Sequence, residues 1–183
     1  MKQSRWLMLA GTLFVALVAV EGWPALRDLN SRFEWRAVDA DSDGATLDGV
    51  QVRVQTQIAA IAAQRPERAA MLVRLELQVE PEALDAWNDC RVSVHGPGGR
   101  IWMPLTNAGV DGAIRLLSED GKNRGLCRLY GIEPAQDVQT LHADQLFLLP
   151  SDELQGLRLH VSGAGTRPHA LSFALTPEIR QLP

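Results

Sequence analysis

Asp39, Asp41 and Asp43 are the first residues whose types and spacing could do chemistry, because Gly44 follows them. Carboxylates at alternate positions before a glycine form the front half of an EF-hand-type calcium loop, where glycine permits the sharp turn. The bidentate acid that such a loop needs at its twelfth position falls on Val50, and Asp48 is out of register. The expectation is therefore an acidic, solvated loop. An exported calcium- or ligand-binding module using the three aspartates is the alternative. The histidines are His95, His142, His160 and His169, with no HxH or HxxxH pair among them. His95 and His160 share the polar parity of their predicted strands, and His142 and His169 lie near strand starts. All four read as exposed strand-edge residues rather than zinc ligands. No GxSxG elbow is present, and neither cysteine has a CxxC partner or a neighbouring base. Gly96-Pro97-Gly98-Gly99 connects two predicted strands and reads as a hairpin turn, not a phosphate cradle. No catalytic residue, metal site or cofactor is expected.

The elements that must position these residues begin with an apolar run. Met1-Lys2-Gln3-Ser4-Arg5 is a basic lead, and Trp6 to Val20 carries no charge. Such a run leaves water as a signal peptide, a membrane span or a core helix, and its place behind a basic terminus disfavours the core. Val18-Ala19-Val20 is a poor cleavage site. Extended to Leu26, the run reaches the roughly 20 residues of a span. Trp6 and Trp23 would then stand about 25 Å apart, matching the two interfacial aromatic belts. Residues 1–26 are predicted to be a signal-anchor or transmembrane segment whose partner is membrane lipid, with cleavage left open. Two cysteines in all, Cys90 and Cys127, fit one disulfide in an oxidising compartment. The expected location is the inner membrane, single-pass, with the rest of the chain in the periplasm or outside the cell. A net charge of −4 gives no basic footprint for nucleic acid.

After an acidic linker over residues 27–49, the hydrophobic period changes to two. Val50, Val52, Val54, Thr56 and Ile58 fall on one face of a strand, and Val73, Leu75, Leu77 and Val79 on one face of Leu72–Glu80. Further strands are expected at 90–95, 100–104, 126–130, 144–149, 157–162 and 170–176. This pattern predicts an all-β, antiparallel β-sandwich of immunoglobulin-like type over residues 50–183, following an N-terminal transmembrane helix. Ala59–Ala70, interrupted by Pro66, reads as a loop with a helical turn, and Thr106–Gly125 as a long connection. Cys90 shares the inward parity of Val92, and Cys127 that of Leu129. Trp102 is expected in the core. Trp87, flanked by Asp85 and Asp89, either caps the core or anchors a partner.

Three segments carry a resemblance: LVRLELQVE at 72–80, Phe147-Leu148-Leu149-Pro150, and Gly156-Leu157-Arg158-Leu159-His160-Val161. Over about residues 45–176 the chain resembles small bacterial extracytoplasmic proteins with a telokin-like, immunoglobulin-type domain. That resemblance carries no catalytic motif and implies binding or assembly. The expected function is a non-enzymatic, membrane-tethered interaction domain, an accessory or assembly subunit of a larger membrane or envelope protein complex. Residues 27–49 and 106–125 are the expected contact segments.

Overall fold

The computed structural model describes residues 10–23, 33, 34, 36–41, 43–133 and 136–183. Trp6, with residues 27–32 of the expected linker, lies outside the described residues. Helix α1 occupies residues 10–23 and is exposed along its length, including Trp23 at its end. At 1.5 Å per residue the described part of the helix rises roughly 20 Å. Among the described residues, no helix is long and apolar enough to cross a membrane.

The rest is mostly β, in two sheets. The first has the order β1 (Arg36–Ala40), β9 (His169–Ala174), β8 (Arg158–Ser162), β5 (Arg91–His95) and β6 (Ile101–Trp102). The second has the order β10 (Glu178–Leu182), β3 (Val50–Ala62), β4 (Arg68–Val79) and β7 (Gln139–Pro150), with β2 (Ala45–Leu47) also on β3. Pairing is antiparallel except for β1 on β9 and β10 on β3, which run parallel. The two-residue period explains the core: Val73, Leu75, Leu77 and Val79 face Val92, Val94, Leu159, Val161, Leu171 and Phe173 across the sandwich.

Several expectations are corrected by the structure. A register shift between Val54 and Thr56 turns β3 over, so Ile58 opposes Leu72 on the outer face rather than joining Val50 and Val52 inside. Ala59–Ala70 is not a helical loop. Both strands run on, and Pro66 sits in the turn where the Arg65 N–H donates to Ala62 O at 2.9 Å. Residues 126–130 form no strand. The long connection instead holds helix α3 (Val110–Leu117), after the short α2 (Leu84–Trp87), and α3 lays Val110, Ile114 and Leu117 on Ala60, Leu72 and Leu146. That contact covers part of the second sheet's outer face. The stretch read as a linker contributes β1 and β2.

Cys90 and Cys127 form a disulfide with their Cα atoms 5.5 Å apart, as expected for an extracytoplasmic protein. It fastens the irregular 118–133 segment to the start of β5. Trp87 is fully buried, and its Nε1 donates to Leu47 O at 3.2 Å. It caps the core rather than standing exposed. Trp102 is partly buried against the same core.

Candidate functional site

Period two gives β5 and β8 each a polar outer row: Arg91, Ser93 and His95 on one, Arg158, His160 and Ser162 on the other. The antiparallel register sets Ser93 opposite His160 and His95 opposite Arg158. An outer sheet face is ordinarily wet. Here Ser93, Ser162 and Ser172 are buried, and His160 is only 9% exposed. Glu34, just before β1, accepts a hydrogen bond from Ser162 Oγ.

Two imidazoles and a carboxylate meet there. The His95 and His160 rings stack with centroids 3.8 Å apart and planes at 21°. One potential ligand atom from each of Glu34, His95 and His160 lies within 4.8 Å of the others. Ser93 Oγ is 3.0 Å from His95 Nε2. His160 Nδ1 is buried with no hydrogen-bond partner. Burial pushes both imidazoles below their ordinary titration range, because it penalises the charged form. For His95 the Glu34 carboxylate opposes that effect. His160 falls to about 4, with His95 and then Arg158 adding to the burial. Both rings are therefore neutral at pH 7, the form in which imidazole offers a lone pair.

His95 and Glu34 also edge a cleft of about 450 Å³, whose walls include Phe33, Ile101 and Met103. These three apolar side chains are half exposed. Met103 is shared with a second cleft of about 410 Å³, lined by the disulfide, exposed Tyr130 and buried Gln145, whose Nε2 has no partner.

The other residues singled out by sequence do not gather here. Asp39 pairs with Arg158, which is also held by Ser172 Oγ at 2.7 Å. Asp41 closes a turn in which the Gly44 N–H donates to its carbonyl at 3.1 Å, and Asp43 lies within that turn. Gly44 has φ +112°, and a Cβ there would meet the Arg53 side chain, so glycine serves a tight turn. His142 is exposed on β7, and His169 opens β9 half-buried, both outside the cluster. Reading His95 and His160 as exposed strand-edge residues is corrected: they lie side by side on adjoining strands, and His160 is buried. Glu34 was missed because it precedes the first strand, in a stretch without periodicity.

No protein-family model and no curated protein matches the chain. Among solved structures, the yjhA protein from Bacillus subtilis is similar to it with a TM-score of 0.44 and 7% sequence identity, over 77% of this chain and 99% of that one.

Proposed function

We propose that the chain is an extracytoplasmic interaction domain of immunoglobulin-like kind. In this reading its N-terminal apolar segment holds it at the membrane, and it binds a larger membrane or envelope protein rather than catalysing a reaction. The carrying observation is the apolar surface around Met103. Phe33, Ile101, Met103 and Tyr130 are each at least half exposed and line two adjoining clefts. Exposed apolar patches of this kind bind protein partners. β6 is also the edge strand of its sheet, with its outer side unpaired by any other strand among the described residues. That edge suits an extended apolar segment of the partner, which would add to the sheet and seat alternate side chains beside Ile101 and Met103. Phe33 lies ten residues beyond Trp23 in sequence, so a membrane-held apolar segment would keep this surface close to the membrane, which favours a membrane-proximal partner.

The test is site-specific photo-crosslinking in intact cells. Probes at Ile101 and Met103 should each capture the same envelope protein. A probe at Leu148, exposed on the second sheet's outer face, should not. Ile101→Asp should abolish the cross-link from Met103 while leaving the melting temperature unchanged. Equal capture from Leu148, or none from Ile101 and Met103, would sink the proposal.

A further inference from the structure

We propose that Glu34, His95 and His160 form a binding site for a divalent transition metal of the zinc class. Two neutral imidazoles and one carboxylate are a donor set suited to such ions. Their ligand atoms, within 4.8 Å of one another, converge from three separate segments: the approach to β1, β5 and β8. Tetrahedral zinc with bonds near 2.1 Å needs donor separations of roughly 3.4 Å, so binding requires the two imidazoles, stacked here with centroids 3.8 Å apart, to swing apart until both lone pairs point at the ion.

The independent observation is His160. Its ring is buried, and Nδ1 has no hydrogen-bond partner. A buried polar atom left unsatisfied is costly, and a metal in this cluster gives the buried ring a partner that the protein does not. The surroundings hold the ligands in place. Ser162 donates to the Glu34 carboxylate, and Ser93 Oγ is 3.0 Å from His95 Nε2. Such outer partners orient metal ligands. Of the cations around the cluster, Arg158, opposite His95, pairs with Asp39, and Arg167 reaches Ser162 Oγ at 3.4 Å and pairs with Asp89. Three protein ligands leave a fourth position, and since Glu34 and His95 edge the cleft beside Ile101, that position faces solvent or a bound molecule. This inference is independent of whether the apolar surface docks a partner.

The test uses the full chain in mild detergent, disulfide intact, stripped with chelator and titrated with Zn²⁺ by calorimetry and with Co²⁺ by visible absorption. The expected result is saturable binding of one ion per chain with a four-coordinate cobalt spectrum. His95→Gln and Glu34→Gln should each weaken binding by at least about tenfold. His142→Gln and His169→Gln should leave it unchanged. Melting in chelator establishes that the variants are folded. In the wild-type chain, Zn²⁺ should also protect His95, but not His142, from chemical modification read by mass spectrometry, which requires no variant. Absence of one-to-one binding, wild-type affinity in both His95→Gln and Glu34→Gln, or equal protection of the two histidines would overturn the site.

Discussion

At the scale of single residues, Trp87 shows what flanking acids leave open. Between Asp85 and Asp89 the sequence allows either a core cap or a surface anchor, and the turn of α2 carries the indole under β2, where it is fully buried. Two glycines permit the approach. A Cβ at Gly163 would stand 2.4 Å from Ala86 O and 2.8 Å from Trp87 Cα, and one at Gly165 would stand 2.9 Å from Ala86 Cα. Since the clashing atoms are backbone, no side-chain rotation would relieve them. Trp87→Ala is expected to cost about 3–5 kcal/mol, the range for emptying a buried aromatic site. Urea denaturation measures it, and a loss below about 1 kcal/mol would place the indole at the rim instead. The histidines carry a related lesson. Parity correctly put His95 and His160 on the polar side of their strands, but parity names a face and says nothing about what covers it.

At the scale of elements, the segment after α3 is fastened to the second sheet by charge. Arg74 on β4 donates to both oxygens of Asp144 on β7, at 2.7 and 3.0 Å, and also pairs with Asp120 at 3.2 Å. The Arg124 N–H donates to Asp144 at 2.7 Å. The Lys122 N–H, with Arg124 and Arg74, holds the Asp120 carboxyl well below the usual range. Asp144 has no exposed surface, and the Arg74 side chain is 11% exposed, so this is a buried pair rather than a surface one. Asp144→Asn should destabilise the protein by about 3 kcal/mol, because it leaves the Arg74 cation with only the partly exposed Asp120 as its counter-charge. An Arg74→Met/Asp144→Leu double variant should recover much of that loss. Chemical denaturation of the three proteins decides it, and a double variant less stable than Asp144→Asn would refute the account. None of this was legible beforehand. Arg74 and Asp144 are 70 residues apart, and only the β4–β7 register brings them opposite one another.

At the scale of the whole molecule, the Cys90–Cys127 bridge closes a loop with a sequence separation of 37 and pins the α3 connection to the first sheet. Replacing both cysteines with alanine should cost up to about 4 kcal/mol on the chain-entropy account. Unchanged stability by denaturant titration would mean that the crosslink is dispensable. The strands expected at 72–80, 90–95, 157–162 and 170–176, their inward faces and the pairing of two cysteines followed from sequence alone to within a residue or two at most ends, since alternation and turn residues act over a few positions. Other features depended on contacts distant in sequence. β1 lies parallel to β9 some 130 residues later, β10 lies parallel to β3, and the bulge in β3 sends Ile58 outward. Parallel edge pairing leaves no local period of its own, because its hydrogen bonds join strands that no short turn connects. The same holds for Glu34: its neighbours in sequence are unremarkable, and only the packing of that segment over the outer face of β5 and β8 sets a carboxylate beside two buried imidazoles.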